Sequence, residues 1–157
     1  MSREVQVSTV VALPQRQAWA LLSDLELADR YVPGVQACKL TSRKRQGIGA
    51  SRRVEPRGRP PMQETVESWD EGVGFTLRLH GTSSDEAPVP FADARFSYRL
   101  QAEGPKQTRV HLQLAYELRG GVLGQLLDRL AVKRASQSQL DRLAANLKTF
   151  YESQGRR

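Results

Sequence analysis

The sequence predicts an α+β fold in which a curved antiparallel sheet of about seven strands packs against one long C-terminal helix. Residues 35 to 118 form short runs in which apolar and polar residues alternate, and turn-forming residues separate the runs. From Gly120 to about Ser153, apolar residues instead recur every three to four positions, and no proline interrupts them. Clean alternation indicates one buried and one solvated sheet face, which is typical of antiparallel pairing.

One strand and two short helices are predicted before residue 35. Val5 to Val11 alternates apolar and polar residues and predicts a first strand. Because proline is well tolerated in the first turn of a helix, Pro14 predicts a short helix that ends near Leu22. Asp24 is placed to cap a second short helix, which Pro33-Gly34 ends.

Six further strands are predicted, at residues 35–42, 50–54, 62–69, 73–81, 94–101 and 108–118. Between the fourth and fifth of these lies Thr82–Ala92, a segment rich in proline and in small and acidic residues. It is a candidate lid over a binding site, with Phe91 as a plug, or it is a plain connecting loop.

The composition is that of a soluble globular protein. A chain of 157 residues suits a single domain spanning 1–157, and 39% of the residues are apolar and 26% charged. We expect neither a signal peptide nor a membrane span, because no apolar run is long enough. The lone Cys38 fits a reducing compartment, so a cytoplasmic location is expected.

Positive charge is concentrated between Lys39 and Arg59, where eight basic residues stand against one acid, Glu55. The net charge of the whole chain is +7. Such a segment suits RNA, a ribosome or an anionic membrane surface, or it is simply a solvated hairpin. It lacks the interleaved aromatic residues that stack on single-stranded nucleic acid, which argues against nucleic acid as the partner.

The predicted geometry leaves space between the sheet and the last helix. A strongly twisted sheet of about seven strands curls. One helix about 10 Å across does not fill the resulting concavity. Aromatic residues make up 6% of the chain, so we do not expect large side chains to plug it. The sequence therefore predicts an apolar cavity.

Several segments also carry a family resemblance. In chain order they are Ala12-Leu13-Pro14, Ala18 to Asp24, Tyr31 to Val35, Gly47 to Ala50, Glu64 to Asp70, Thr108 to Val110, and Leu123 to Lys148. Together they resemble the helix-grip proteins of the START-like (SRPBCC) superfamily, and within it the polyketide cyclase/dehydrase and lipid-transport group. The resemblance implies the order β-α-α-β6-α, with the sheet wrapped around the last helix over a deep apolar cavity whose mouth is rimmed by loops.

Most catalytic site types are excluded by residue counts and spacing. Two histidines and one cysteine do not provide the ligand spacings of zinc or iron sites, so we expect no metal. His80 and His111 alternate with apolar neighbours and should point outward to the surface, which leaves no base for a serine or cysteine nucleophile. Gly47-Ile48-Gly49 has Arg52 in place of the third glycine of a dinucleotide fingerprint, and no cofactor is expected.

A short set of polar residues remains as catalytic candidates. Glu64 lies between Met62 and Val66 on one side of its strand, and Arg52 is placed to pair with it. If that side faces the cavity, Glu64 is an acid-base group or a ligand anchor. In the alternative register Trp69 faces inward with Thr65 and Glu67, and Glu64 lies in water. Tyr98 is the third candidate, as a hydroxyl donor or an ordinary core tyrosine.

The predicted cavity lining comes from three strands and the helix. Lys133 and Gln137 interrupt the apolar stripe of the helix and are polar contacts for a ligand, unless Lys133 extends to solvent. Tyr116, like Tyr98, carries a hydroxyl on an apolar face. The full set is Phe75, Leu77, Leu79, Phe96, Tyr98, Leu112, Leu114, Tyr116, Leu126, Leu130, Lys133 and Gln137.

Three functions follow, in order of preference. The first is a carrier that binds an apolar small molecule or lipid in the cavity, because burial alone is sufficient for micromolar affinity. The second, which the resemblance implies, is a cyclase or dehydratase of polyketide type that uses Glu64, Arg52 and Tyr98. The third is an adaptor that binds RNA, a ribosome or an anionic membrane through residues 39–59. The residues do not distinguish carrier from enzyme, nor monomer from homodimer.

Overall fold

A computed structural model describes residues 3–120 and 125–156, and only the backbone of residues 125–128. The strands are β1 (Arg3–Val11), β2 (Val35–Leu40), β3 (Ser51–Pro56), β4 (Met62–Asp70), β5 (Gly74–Gly81), β6 (Phe91–Gly104) and β7 (Gln107–Leu118). The helices are α1 (Gln15–Leu22), a short 3₁₀ helix (Leu25–Arg30) and α2 (Gln125–Gly155). The predicted element order is confirmed.

All seven strands form one antiparallel sheet in the order β1-β7-β6-β5-β4-β3-β2. The sheet curls into a half-barrel with α2 against its concave face, which confirms the predicted α+β helix-grip architecture. Each strand pairs with its neighbour in sequence except β1, which pairs with β7 at the far end of the chain.

Both edges of the sheet are covered. Along β1, the Nε2 of Gln137 on α2 donates to the carbonyl oxygen of Gln6 at 3.2 Å. Further along the same edge, the Nζ of Lys148 donates to the carbonyl oxygen of Val10 at 2.6 Å. The other edge strand, β2, packs against the 3₁₀ helix Leu25–Arg30. Because polar groups on uncovered edges invite pairing with other chains, this arrangement protects the sheet.

One β-bulge determines which side chains of β4 face the concave side. The pairing with β5 shifts between Val66 and Ser68, so Glu67 is the extra residue. Residues on opposite sides of a bulge share a face when an odd number of positions separates them. Glu64 and Trp69, five positions apart, therefore both face inward. The two registers that the sequence left as alternatives are each correct on one side of Glu67.

Among the described side chains of α2, those of the apolar stripe are buried only in the C-terminal half, at Leu140, Ala144, Leu147 and Tyr151. Leu130, which the stripe predicts against the sheet, is 48% exposed. Residue 130 lies two heptads before Ala144 and so near the same helix face, yet about half of its side chain stays exposed. The predicted helix start at Gly120 is wrong, because Gly120 is not helical. Residues 121–124 lie outside the described residues.

Large side chains fill much of the concavity, contrary to the expectation from a 6% aromatic content. Every aromatic residue of the chain makes a ring contact with another. One continuous row runs from α1 across the sheet through Trp19, Trp69, Phe75, Tyr98 and Phe96, with centroids 4.8 to 5.3 Å apart between successive rings. Few aromatic residues are sufficient because the fold places all of them on one side of the sheet.

The segment between β5 and β6 is shorter than predicted. Phe91, the expected plug of the loop, is the first residue of β6 and packs on the ring of Tyr116 at 5.3 Å. Arg119 holds the remaining loop, because its Nε and Nη2 donate to the carbonyl oxygens of Phe91 at 2.8 Å and Ala87 at 2.6 Å. The loop is thus attached to the end of β7, and its role as a lid stays a prediction.

Candidate functional site

The candidate site is centred on an ion pair within the sheet. Antiparallel pairing of β3 with β4 sets Arg52 directly opposite Glu64. The Nε of Arg52 donates to the Oε1 of Glu64 at 2.9 Å. The Arg52 side chain is 2% exposed and that of Glu64 is 13% exposed. The structure therefore contains the pair that the sequence suggested, on the concave face.

Arg52 is held in the core by partners on β4 and on the 3₁₀ helix. Its Nη1 donates to the carbonyl oxygen of Leu25, in the 3₁₀ helix, at 2.8 Å. Burial is the largest single influence and lowers the pKa of the guanidinium, but the Glu64 carboxylate together with Tyr98, Tyr31 and Cys38 outweighs it, and the net pKa of Arg52 is raised. Arg52 therefore stays charged, and it makes at least two hydrogen bonds that compensate in part for its lost hydration.

Tyrosine rings surround this charge. Tyr31 and Tyr151 are fully buried and cross edge to face, with ring centroids 5.9 Å apart. Among the described residues, neither hydroxyl has a hydrogen-bond partner. Burial raises the pKa of Tyr31 to about 12, against the opposing charge of Arg52. Burial also raises the pKa values of Tyr98 and Tyr151 well above the ordinary tyrosine value.

We expect these buried phenols to make the protein sensitive to alkali. The pKa of Tyr31 is raised from 10.0 to about 12 in the folded state, so folding favours the neutral phenol. The neutral Tyr31 phenol contributes fully to the free energy of unfolding below pH 10, and this contribution is lost as the pH rises towards 12. Melting temperatures measured from about pH 9 to pH 12 should fall steeply, together with the appearance of tyrosinate absorbance.

The matched variant is Tyr31→Phe, which lacks the ionisable hydroxyl. Because that hydroxyl is buried without a partner, the variant should melt no lower than the parent at neutral pH. Above pH 10, the melting temperature of the variant should fall less steeply than that of the parent. Ionisation of all four tyrosines near pH 10 in a still-folded protein would contradict this assignment.

The apolar wall beside the ion pair is only partly covered. Leu79 on β5 lies directly across from Glu64, and Met62 precedes it by two positions on β4. Leu79, Met62 and Phe96 point to the concave side and remain partly exposed, although they pack against the core. Apolar side chains on a concave face that keep contact with solvent are the expected surface of a ligand site.

The predicted lining residues fall into groups of different accessibility. Lys133 is exposed to solvent, which agrees with the alternative that it extends away from the sheet. Gln137 is occupied by its bonds to β1 and to the Oδ1 of Asp141, so its polar group already has partners. The side chain of Leu126 lies outside the described residues. The buried members are Phe75, Leu77, Tyr98, Leu112, Leu114 and Tyr116, while Leu79 and Phe96 are half-buried and Leu130 is exposed.

The sequence allowed Tyr116 to be an ordinary core tyrosine, whose buried hydroxyl would bond to a backbone group, but the structure shows no such bond. Tyr116 is 1% exposed, yet its hydroxyl has no partner within the described residues. Tyr31 and Tyr151 were not expected from the sequence as neighbours of Arg52. Their separation of 120 positions leaves no local pattern, although Tyr31 is buried directly after the 3₁₀ helix and Tyr151 is buried on α2. Only the packing of α2 on the 3₁₀ helix brings them together.

Neither histidine reaches the site. His111 is exposed on the convex face, as predicted. His80 also alternates with inward apolar residues, but its predicted exposure is wrong, because it is 8% exposed. Its Nε2 lies 2.8 Å from the Oγ1 of Thr65, and its Nδ1 lies 2.9 Å from the carbonyl oxygen of Gly81. Within the described ranges, no three histidine, cysteine or acidic side chains cluster as metal ligands.

The basic segment 39–59 divides into different environments. Arg52 is the buried residue described above. Arg45 pairs with Glu26 at 3.1 Å, and Arg53 pairs with Glu55 at 3.2 Å. The remaining basic side chains are exposed, namely Lys39, Arg43, Lys44, Arg57 and Arg59. This distribution is that of a solvated hairpin, and an adaptor role for it stays a prediction.

The family model for polyketide cyclase/dehydrase and lipid transport matches residues 2–148. The chain belongs to this family. The comparison with curated proteins found no significant match. In the described part of the chain, no helix has both the length and the apolar character required to cross a membrane.

Solved structures with the same fold include a START superfamily protein and proteins named as aromatase/cyclases. A START superfamily protein from Mycobacterium smegmatis is 20% identical with a TM-score of 0.73, covering 96% of this chain and 97% of its own. The Zhui aromatase/cyclase from Streptomyces sp. R1128 is 16% identical with a TM-score of 0.68, covering 94% of each chain. The di-domain ARO/CYC StfQ from the steffimycin biosynthetic pathway is 10% identical with a TM-score of 0.76, covering 99% of this chain and 52% of its own. Identities this low support likeness of fold alone.

Proposed function

We propose that this protein binds an apolar small molecule or lipid between the concave face of the sheet and α2. The observation that carries the proposal is the accessible apolar wall formed by Leu79, Met62 and Phe96. On α2, Leu130 is also 48% exposed. The family, described as including lipid transport, agrees with this role. At about 25 cal/mol per Å², covering a few hundred Å² of apolar ligand is sufficient for micromolar binding.

The proposal predicts that bulk added to the wall will block binding. Leu79→Trp enlarges a side chain that points into the proposed space, so the affinity for a neutral apolar dye such as Nile red should fall about tenfold or more. Fluorescence titration measures this affinity, and native mass spectrometry detects any molecule that copurifies.

Arg78→Trp is the matched control, because Arg78 is the adjacent residue on the opposite face of β5. It should bind the dye as the parent does. Equal dye affinities of the two variants would show that the concave face is not the binding site. If the parent bound no dye and carried no copurified molecule, the proposed binding function would be wrong.

A second candidate function is cyclase or dehydratase chemistry on a polyketide-like substrate. The buried Arg52–Glu64 pair beside Tyr98 favours it, since such chemistry requires a shaped pocket and one or two proton-transfer groups. In this role Glu64 exchanges a proton with the substrate, and Tyr98 donates a hydrogen bond to a substrate oxygen.

The enzymatic role predicts that Glu64→Gln and Tyr98→Phe each lower turnover of a poly-β-keto substrate about 100-fold, the usual contribution of a general acid or base. Circular dichroism should show both variants folded. Unchanged turnover in both, with folding intact, would show that these residues have no catalytic role.

A further inference from the structure

The β2–β3 turn, residues 41–50, presents a large apolar side chain to solvent. Ile48 at its tip is 60% exposed. It lies between Gly47 and Gly49, whose φ angles of 86° and 92° are in the region that other residues rarely adopt. The two glycines therefore let the chain reverse tightly around residue 48.

Hydrogen bonds hold this turn in one conformation. The Oγ of Ser42 donates to the carbonyl oxygen of Lys44 at 2.6 Å, and the Nζ of Lys44 donates to the carbonyl oxygen of Ile48 at 2.8 Å. The Nε2 of Gln46 attaches the turn to the carbonyl oxygen of Ser23 at 3.2 Å. The exposure of Ile48 is thus a property of an ordered turn, and the Lys44 ammonium lies next to it.

The charge around Ile48 is predominantly positive. Residues 35–54 contain no aspartate or glutamate. Arg45 pairs with Glu26 at 3.1 Å, but in the described part of the chain no carboxylate pairs with Arg43 or Lys44. Both of these side chains are exposed. The tip of the turn therefore combines one apolar side chain with two basic side chains that lack a counter-ion.

A second exposed apolar residue, Val89, lies in opposite surroundings. It is 76% exposed in the β5–β6 loop, which carries Asp85 and Glu86. In this antiparallel sheet, the β2–β3 turn lies at one end, whereas the β3–β4 and β5–β6 connections lie at the other. Ile48 and Val89 are thus similar side chains at opposite ends of the sheet, and the nearby charge differs in sign.

An anionic membrane matches both features of the β2–β3 turn. Lipid phosphates attract basic side chains, and the region beneath the headgroups receives apolar ones. Single-stranded RNA would use only the charges, because it is recognised largely by stacking on aromatic residues, and residues 39–59 contain none. The turn therefore fits a membrane surface better than RNA.

We propose that the β2–β3 turn docks on an anionic membrane surface. Ile48 enters the headgroup region, while Arg43 and Lys44 contact lipid phosphates. The β3–β4 and β5–β6 connections then face away from the membrane. One apolar side chain and two charges provide weak, reversible attachment, because even a single myristoyl chain binds a membrane only marginally.

The test is cosedimentation of the full chain with vesicles of equal parts phosphatidylcholine and phosphatidylglycerol. Half of the protein should bind at a lipid concentration on the order of 1 mM at low salt, weaker than for a myristoyl chain. Binding should weaken severalfold as the salt rises to about 0.15 M, where charges are screened over about 8 Å. Vesicles of phosphatidylcholine alone should not sediment the protein.

Paired charge variants locate the docking surface. R43Q/K44Q should weaken binding to the anionic vesicles about 25-fold, fivefold for each charge removed. The matched control is R57Q/R59Q, which removes two exposed arginines from the β3–β4 connection and lowers the net charge equally. It should bind almost as the parent does. Because all four side chains are exposed, both variants should melt at the temperature of the parent.

The apolar contact has its own pair of variants. I48S should weaken vesicle binding about tenfold, whereas V89S should leave it unchanged. An environment-sensitive fluorophore attached to I48C should shift to the blue when anionic vesicles are added, and the same fluorophore on V89C should not. Cys38 is buried, so the label is directed to the introduced thiol.

Docking of the turn is independent of what the concave face binds, so its failure leaves the proposed ligand binding untouched. If the parent does not sediment with the anionic vesicles, docking is wrong. If R57Q/R59Q loses as much binding as R43Q/K44Q, or the blue shift appears at residue 89, the surface has been placed at the wrong end. If the parent binds single-stranded RNA more tightly than vesicles at the same salt, and I48S changes neither affinity, the partner is not a membrane.

Discussion

Replacement of Glu64 by leucine is expected to lower the free energy of unfolding by about 3–5 kcal/mol, the usual effect of removing one partner from a buried ion pair. The variant leaves the guanidinium of Arg52 in the core with its side chain 2% exposed. Its bond to the carbonyl oxygen of Leu25 remains, but no counter-ion does. Chemical denaturation followed by circular dichroism measures the loss.

The same strand provides a control for this prediction. Glu67→Leu removes a carboxylate that pairs with Arg95 on the convex face, where both side chains are about one-third exposed. Arg95 also pairs with Asp93, so the effect should stay below about 1 kcal/mol. The double variant R52M/E64L should recover most of the stability, because neither charge then remains buried. A Glu64→Leu protein as stable as Glu67→Leu would mean that water reaches Arg52.

Replacement of Gly74 by alanine is expected to destabilise the protein by about 3 kcal/mol, the upper end of the usual cost of overpacking. A Cβ at this position would overlap the backbone carbonyl oxygen of Tyr98 and would also press on the Cα of Arg99. Backbone atoms of a paired strand do not move aside as a side chain does. The β5–β6 ladder must therefore open at the end where Tyr98 lies.

Gly104→Ala is the comparison for this substitution, because a Cβ there meets no atom within 4 Å. Neither glycine has a positive φ, so the difference between the two variants reports contact and not backbone strain. Thermal denaturation should place Gly104→Ala close to the parent, within about 0.5 kcal/mol. If Gly74→Ala melted at the same temperature as Gly104→Ala, the β5–β6 pair would be shown to accommodate the extra Cβ without loss of stability.

Arg52 and Glu64 contribute to stability and also line the proposed ligand site. Proteins keep buried ion pairs despite an uncertain gain in stability. Here the pair lies in the wall of a proposed ligand site, where an apolar replacement would pack but could not accept a hydrogen bond. The double variant R52M/E64L is informative for this reason, since it should keep the fold and lose only the proton transfer proposed for Glu64.

The bulge at Glu67 illustrates how far a sequence pattern can be followed. Alternation assigns one face to Met62, Glu64 and Val66, and that assignment is correct up to the bulge. An extra residue in a strand has no signature in apolar alternation, so the face of Trp69 could not be predicted together with that of Glu64. The row of aromatic rings that joins α1 to the sheet depends on this shift.

The sequence by itself determined the order of the elements and the single antiparallel sheet, and it suggested the pairing of Arg52 with Glu64 as one of two registers. These depend on local periodicity and on a hairpin whose strands are neighbours in sequence. Tertiary structure alone decided the meeting of Tyr31 with Tyr151, the filling of the concavity by a few aromatic residues and the exposure of Leu130. Contacts between segments far apart in the chain leave no periodic trace, because they arise only when the sheet curls and α2 closes against it.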